Sequence, residues 1–415
     1  MNPFGLRSGQ AVGRSLLLQT GDRALIDLIR EHIRANGPVS FAWFMEQALY
    51  HPRFGYYASG RCPIGSRGDY FTNVSVGPLF GRLLAAQFVE IWTTLGKPDH
   101  FTIVEQGAHH GEFAADVLKS IRDNSPDFFS PLHYRVVEPF EVLQDRQAQR
   151  LAEFGDKIKW CDSVDALEPF VGVHFSNELL DSLPVHLIVS TSDGWQEKFV
   201  NVEGDRFVFV EQAIVDPALK TQVKKIEATS RRLWEETRQD AASTVPAQPA
   251  GYVIEINLAT LEWIDALSAK LARGYLLVFD YGYSREEFYA ADRRGGTLQI
   301  RAQHHLLNSP FDAIGNSDIT AHVQWTSVAE RAETSGLRVA GFTDQHHFLT
   351  GLISESLELS GNVDPKRKRA LQTLIHPEML GRRFQVLALA QNVDSAIALS
   401  GFKFARDARA ALGLL

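Results

Sequence analysis

The amino-acid sequence predicts an α/β protein: a doubly wound, mostly parallel sheet, preceded by a helical cap and interrupted by an α+β insertion. Three observations carry this prediction. From Phe101 onward, short apolar runs alternate with segments of helical periodicity. The first of those runs closes on an acidic residue and a glycine-bearing turn that opens a helix, the Rossmann-like way of bringing backbone close to a nucleotide. Between residues 187 and 250 the alternation gives way to hairpin-like strands and a charged helix, and afterwards it resumes.

Bulk properties narrow the function. A chain of 415 residues holds one large α/β domain with insertions, or two domains. Hydrophobic residues at 45% and charged residues at 22% exclude a disordered or fibrous chain. No apolar run approaches the ~18–20 residues that cross a bilayer. The formal charge of −8 disfavours nucleic-acid binding, which needs concentrated Lys and Arg, and suits a small or cationic substrate. Cys62 and Cys161 are the only cysteines, too few for a disulfide framework, so a reducing compartment is expected. That means the cytoplasm, or the mitochondrial matrix if the source is eukaryotic. The first 21 residues carry Arg7 and Arg14 and no acid, which fits a transit segment or, preferably, a frayed terminus.

The elements follow in order. Leu25, Ile26, Leu28, Ile29 and Ile33 recur at helical spacing, Gly37-Pro38 breaks the helix, and Ser40 is placed to cap a second helix, Phe41–Tyr50. A loop over 51–71 leads to a third helix, Pro78–Trp92. Residues 22–96 thus form the helical cap. Strands are expected at Phe101–Glu105, Tyr134–Val137, Ile158–Trp160 and Val173–Ser176, with helices at Glu112–Ile121 and Glu141–Phe154. The insertion, 187–250, contributes strands Leu187–Ser190, Lys198–Val202 and Arg206–Val210 and a helix over Pro217–Arg238. The main sheet is expected to resume at Tyr252–Ile256 and continue through Tyr275–Asp280. After a long loop, Tyr281–Asn316, come a helix at Ser327–Ser335 and two last strands, Arg338–Thr343 and Phe384–Gln391. Residues 97–186 and 251–395 together make the core.

Four stretches carry chemistry. Glu105 and the turn Gly107-Ala-His109-His-Gly111 end the first strand, where a carboxylate suits a cationic cofactor better than a pyrophosphate. The plain alternative is a structural turn. Glu138 ends the next strand, as an acid that takes ribose hydroxyls does, or as one that favours the following helix N-terminus. Asn177-Glu178-Leu-Leu-Asp181 lies beyond the fourth strand, where open α/β sheets bind ligands; its carboxylates suit a guanidinium or ammonium, or else cap a turn. The long loop around Asp280-Tyr281, Gly296-Thr-Leu298 to His304, and Asp318 to Val323 is of the length that is usually functional. His186, Tyr281, His304 and His322 are candidates to shape the pocket or accept a proton. No metal site is expected: the pairs His109/His110 and His304/His305 are adjacent, and adjacent rings rarely aim at one ion.

These stretches, with Leu49-Tyr-His-Pro-Arg-Phe-Gly-Tyr-Tyr57, Gly68-Asp-Tyr-Phe-Thr72 and Ile375-His-Pro-Glu-Met-Leu-Gly381, resemble in sequence order the MidA family. Its members are bacterial and mitochondrial methyltransferase-like proteins linked to assembly of respiratory complex I. The resemblance runs from about residue 25 to 395. It implies a class I methyltransferase core, seven-stranded with an antiparallel last strand, and S-adenosylmethionine as methyl donor, with S-adenosylhomocysteine as product. It implies as substrate a protein arginine, on a complex I subunit in the mitochondrial members, with homodimerisation left open. The expected cofactor set is Gly68, Asp69, Thr72, Glu105, Gly107, His109, Gly111, Glu138, Asp162 and Asn177; the expected catalytic set is Asn177, Glu178, Asp181, His186, Tyr281, His304 and His322. The chain departs from the family pattern at His109, a glycine in the usual turn, and at Asn73-Val74-Ser75, which replace Ser-Pro-Glu. Three alternatives remain beside the arginine methyltransferase. One is a catalytically silent assembly factor, favoured by His109; another is a small-molecule methyltransferase. The third, an NAD(P)-dependent oxidoreductase, does not account for the Asn177–Asp181 loop or the terminal strands.

Overall fold

The computed structural model describes residues 21–59, 72–236, 250–290, 292–303, 305–355, 364–394 and 398–414. The expectations at the N-terminal arginines, Gly68, Asp69 and His304 lie outside these residues. The strands in chain order are β1 (Val39–Ser40), β2 (Phe101–Gln106), β3 (Leu132–Val137), β4 (Ile158–Cys161), β5 (Phe170–Asn177), β6 (His186–Thr191), β7 (Gly194–Glu203) and β8 (Arg206–Ala213). They continue with β9 (Val253–Ile256), β10 (Leu271–Tyr283), β11 (Gln299–Ala302), β12 (His305–Leu306), β13 (Asp318–Thr320), β14 (Val323–Gln324), β15 (Arg338–Asp344) and β16 (Phe384–Gln391). Helices of ten or more residues are α1 (Arg23–Asn36), α2 (Phe41–Tyr50), α3 (Leu79–Thr94), α4 (Glu112–Asn124) and α5 (Glu141–Leu151). Then come α6 (Pro217–Glu236), α7 (Leu258–Lys270), α8 (Trp325–Thr334), α9 (Gln345–Glu355) and α10 (Pro365–Ile375).

The main sheet runs β15-β16-β10-β5-β2-β3-β4, with β14 pairing β10 off this path. Strands β2, β3, β4, β5 and β10 pair in parallel, and β16 is antiparallel to both β10 and β15. The expected reversed last strand is present, slotted between β10 and β15. Both faces of this sheet are covered. Helices α3, α4 and α9 bury Phe80, Phe88, Phe113, Val117 and Phe348 on one face. Helices α7 and α8 bury Trp263, Ile264, Leu267, Val328 and Ala329 on the other. Strands so enclosed are apolar on both sides, which is why β10 reads as a continuous apolar run.

The strand expected to resume the main sheet at Tyr252–Ile256 does not join it. β9 instead pairs antiparallel with β6, His186 opposite Ile256, in a second sheet ordered β1-β7-β6-β9 with β8 beside β7. Its Ile254 and Ile256 pack with Ile188, Leu219, Val223 and Ile226. A four-residue apolar strand looks the same whichever sheet it joins, so periodicity alone cannot place it. Val39 and Ser40 also pair with β7, so the residues that cap α2 form an edge strand. The side chain of Ser40 still accepts from Trp43 N–H. Helices α1 and α2 therefore share a core with the insertion, in which Leu25, Ile29, Phe41 and Phe44 meet Leu187 and Val200. The long loop after β10 holds a three-stranded sheet, β12-β11-β13.

Two glycines set the spacing of the central strands. Gly274 on β10 lies opposite Gly172 on β5, at φ 139° and 150°. A Cβ on Gly274 would stand 1.8 Å from the Gly172 carbonyl oxygen, and one on Gly172 would stand 2.0 Å from Thr102 O. Strands cannot part without losing their ladder, so Gly274→Ala is expected to cost more than ~3 kcal/mol. Chemical denaturation checks it, with the exposed and unobstructed Gly295→Ala, at a position without a positive φ, as the mild comparison.

Candidate active site

The carboxyl ends of β2, β3, β5 and β10 meet at two cavities. The first, about 610 Å³, is lined by the β2–α4 turn, the end of β3 and the loop after β5. This is within the range of sites that enclose a small molecule. Gly107 and Gly111 take left-handed φ values of 81° and 79° in that turn, and His109 takes one of 48°. Histidine is among the non-glycine residues that tolerate this region, so the turn keeps its glycine-like path with a side chain added. The ring of His109 stacks on His110 at 3.7 Å between centroids, and its carbonyl accepts from Gln147 Nε2 at 2.8 Å.

Gln147 is the hub of this wall. Its Nε2 also donates to Glu138 Oε2 at 3.0 Å, and its Oε1 accepts from Trp160 Nε1 at 2.9 Å. Glu138 Oε1 accepts the Phe140 N–H at 3.2 Å. Burial pushes the Glu138 carboxyl up to about 7. Glu105 takes a hydrogen bond from Tyr134 Oη at 2.6 Å and is pushed up to about 8, again by burial.

The second cavity, about 770 Å³, lies between β10, β13 and the segment leading into β16. It shares Tyr57 and Glu178 with the first, so these two residues form the partition between the cavities. Glu178 has φ 54° and donates its N–H to Phe279 O at 2.9 Å, extending β5 by one residue before the chain turns. The turn itself hangs on Asp280. Asp280 Oδ2 accepts the N–H groups of Leu179, Leu180 and Asp181 at 3.2, 2.8 and 3.2 Å, and Oδ1 accepts that of Tyr281 at 2.8 Å. Asn177 Nδ2 donates to Glu178 Oε1 at 2.8 Å, and Asn73 Nδ2 donates to Asn177 Oδ1 at 2.8 Å. Tyr57 donates to Asp318 Oδ1 at 2.6 Å.

Acid is concentrated here. Glu178 is pushed up to about 8, mainly because it lies deep among protein atoms, with Asp280 and Asp318 adding repulsion. The surface it does expose is the surface that lines the cavities. Asp181 is raised by burial first, then by Asp280, Glu178 and Asp318. Neither Glu178 nor Asp181 meets a cationic side chain among the described residues. His322 donates its backbone N–H to Thr297 Oγ1 at 3.0 Å and stacks its ring on Tyr283 at 5.1 Å. Burial and then Arg293 lower its pKa to about 4, so the ring is neutral at neutral pH.

Of the residues expected to act, Asn177, Glu178, Asp181, Tyr281 and His322 line one cavity or the other. His186 does not: it sits on β6 with Nδ1 2.7 Å from Glu197 Oε1, in the second sheet and away from both cavities. Of the expected cofactor residues, Thr72, Glu105, Gly107, His109, Glu138 and Asn177 line the first cavity. Gly111 caps α4 and lies behind the wall, where a Cβ would come within 3.3 Å of Leu151. Asp162 stands outside the lining and accepts from Gln144 Nε2 at 3.1 Å. His109 and His110 do converge, contrary to expectation, because the left-handed turn folds one ring onto the other. With Glu112 they place ligand atoms within 4.8 Å of one another. Two guanidiniums compete for them: Arg146 Nη1 is 3.1 Å from His110 Nε2, and Arg150 Nη2 is 2.8 Å from Glu112 Oε1.

Sequence reasoning missed Gln147 and Glu255, and marked Asn73 only as a departure from the family pattern. Glu255 on β9 accepts from Thr297 N, Thr297 Oγ1 and Leu298 N at 2.8, 3.2 and 3.1 Å. The stretch Gly296-Thr-Leu298 is thus a clamp on a buried carboxylate, and it holds His322 through Thr297. No pattern within β9 points to this partner some forty residues away.

The raised carboxyls set a stability profile. In the folded protein Glu105 and Glu178 hold protons to about 8, whereas in the unfolded chain they release them near 4.5. Folding stability from these groups is complete below the unfolded value and is lost as pH rises through 8. His174 and His322, lowered to about 3 and 4, oppose this only below pH ~6.5. Between pH ~6.5 and 8 the ligand-free protein should lose stability by on the order of 2 kcal/mol per pH unit. Denaturant midpoints across that range test this, and Glu178→Gln should flatten the slope.

The relatives agree with this geometry. Residues 83–343 match the family model Methyltransf_28, described as an S-adenosyl-L-methionine-dependent methyltransferase. The human mitochondrial protein arginine methyltransferase NDUFAF7 is 27% identical over 415 aligned positions, covering 91% of this chain and 85% of the relative. The Drosophila melanogaster homologue is 26% identical, covering 91% and 87%. A Burkholderia thailandensis protein crystallised with S-adenosylhomocysteine superposes with a TM-score of 0.80 at 26% identity, covering 98% of this chain and 99% of that one. The matched region is more than half of the chain and holds the parallel strands β2, β3, β4, β5 and β10, so the chain belongs to the Methyltransf_28 family and is an S-adenosylmethionine-dependent methyltransferase.

Proposed function

We propose that this enzyme methylates an arginine side chain of a protein, with S-adenosylmethionine in the first cavity and the guanidinium in the second. The observation that carries the reading is the shared partition. Glu178 faces both cavities, and with Asp181 and Asp318 it makes the inner wall of the second acidic. Buried carboxylates without a cation are costly, and a guanidinium supplies the missing charge with a planar set of donors. The named activity of the human and fly relatives supports the same substrate class. A respiratory complex I subunit is the first protein to test. The mitochondrial relatives favour the matrix if the source is eukaryotic, and the two cysteines suit a reducing compartment such as the cytoplasm otherwise. Among the described residues no helix is long and apolar enough to cross a membrane.

The first cavity fits the cofactor by the chemistry of its lining. Glu138 would offer a carboxylate to the ribose hydroxyls, Phe140 and Leu143 apolar surface to the adenine, and Glu105 and Asn177, which line the same cavity, polar groups to the cationic sulfonium. When bound, S-adenosylmethionine supplies an electrophilic methyl group on a sulfonium. The protein's contribution is alignment and charge. Glu178 accepts hydrogen bonds from the guanidinium, turns a nitrogen toward the partition, and takes the proton that nitrogen loses. Asp181 holds the other edge. The neutral ring of His322 and Tyr281 give a flat wall that does not repel the cation.

Glu178→Gln is expected to lower the rate of methyl transfer to an arginine peptide by at least ~100-fold, since it removes both the charge and the proton acceptor. Its affinity for S-adenosylhomocysteine should stay within a few-fold of wild type. For the wild type, kcat/KM should rise with pH and level off above about 8, because the free enzyme must lose the Glu178 proton first. Peptides with lysine or no arginine that are methylated equally well would sink the arginine reading.

Glu138→Ala should weaken S-adenosylhomocysteine binding by about 30- to 100-fold, the ~2–3 kcal/mol of hydrogen bonds to a charged acceptor. Wild-type affinity should rise with pH through about 7, where Glu138 ionises, and Glu138→Gln should remove that dependence. Calorimetric titration measures both.

A further inference from the structure

The second cavity is acidic at its inner end and basic at its mouth. Arg301 on β11, and Arg382 and Arg383 just before β16, line it opposite the Glu178 partition. Arg382 and Arg383 are exposed and meet no carboxylate among the described residues. Arg301 is half-buried, with Nε and Nη2 both on Gln299 Oε1 at 3.2 and 2.8 Å, which fixes the guanidinium plane. The charge continues outward. From 365 to 383 the sequence carries six cationic side chains (Lys366, Arg367, Lys368, Arg369, Arg382, Arg383) against one carboxylate, Glu378. This stretch has the sign opposite to the whole chain's −8.

Helical spacing gives the basic charge a direction. Thr373 near the end of α10 lines the cavity. Lys366 and Arg369 precede it by seven and four residues, so the three share one face of α10. At 1.5 Å per residue, Lys366 lies ~10 Å from Thr373 along the axis, the length of about three residues of extended peptide.

We infer that the mouth of the second cavity and this face of α10 form a docking track for an acidic segment of the substrate protein, contiguous with the residue that enters the cavity. The inference rests on the arginine reading of the site. It adds a sequence requirement: Asp or Glu at roughly two to six residues from the target arginine, on one side of it. The inner carboxylates select the cation, and the outer guanidiniums select its anionic neighbours. A peptide presenting the reverse order of charge is repelled at both ends. An acidic polypeptide is favoured over a nucleic acid or lipid surface because the track leads into a cavity whose inner end, lined by Glu178, Asp181 and Asp318, repels phosphates, and because it belongs to a chain of net negative charge.

Two arginine peptides of equal length test this, one flanked by glutamates in that window and the other by glutamines. The glutamate peptide is expected to have a KM at least tenfold lower, with kcat within about threefold, and the advantage should shrink steeply with salt. Lys366→Glu combined with Arg369→Glu should abolish the advantage, and a lysine-flanked peptide should regain it in that variant. Unchanged circular dichroism and S-adenosylhomocysteine binding show that the variant is folded. Equal KM for both peptides, each methylated on arginine, overturns the docking inference and leaves the arginine reading standing. Tighter binding of the glutamate peptide by fluorescence anisotropy, lost in the variant but with no methylation of either peptide, supports the track and overturns the arginine reading. Binding of a homopolymeric RNA or of phosphatidylglycerol vesicles through the same residues, without preference for glutamate peptides, overturns the inference in favour of another anion.

Discussion

The carboxylate of Asp280 organises the centre of this protein. Fully buried at the end of β10, it collects four backbone N–H groups, three of them from the loop that leaves β5. Those donors would otherwise be orphaned in a dry region, at a cost of ~1–3 kcal/mol each. Gathered on one acceptor, they define where Glu178 and Asp181 stand. The same loop then anchors its neighbours. The carbonyl of Asp181 accepts from Ala321, that of Ser182 from Tyr50, and those of Leu180 and Leu183 from Asn257. Elements from the N-terminal helices, the second sheet and the β13 region are in this way tied to one strand end of the core.

The arrangement concentrates negative charge where water is scarce. Burial raises the pKa values of Glu178, Asp181 and Asp280, and for Glu178 and Asp181 repulsion from the neighbouring carboxylates, Asp280 and Asp318 among them, adds to it. Asp280 is offset by its backbone donors, and Tyr57 donates to Asp318. Glu178, which accepts from Asn177, and Asp181 have no cation among the described residues. A site of this kind discriminates by charge before shape, because a neutral guest leaves the repulsion in place.

Much of this was legible in the sequence. Helical and strand periodicities located the core strands within a few residues, since enclosed parallel strands leave long apolar runs. The Glu105 turn, Glu138 and the Asn177–Asp181 loop were legible because chemistry at the ends of parallel strands recurs at fixed places in such folds. What failed did so for physical reasons. The short strand at Val253–Ile256 carries no mark of its sheet, which is decided by Ile188 and the α6 residues it packs on. His186 follows the acidic loop by five residues, yet the chain has already turned into β6 and aims the ring at Glu197. Gln147, a polar residue on the buried face of α5 between Leu143 and Leu151, works only because Glu138, His109 and Trp160 converge on it in space.

The position of β16 has a consequence for how the chain is partitioned. The family match ends at residue 343, yet β16 lies beyond it and fills the gap between β10 and β15. Helices α1 and α2 lie before the match and complete the apolar interior beneath β7. A segment cut at the match boundaries would expose two unpaired strand edges and an uncovered apolar face, the features that drive edge-to-edge association. The unit that is inherited and that folds is therefore wider than the unit that is most recognisable, and it extends to both sides of it.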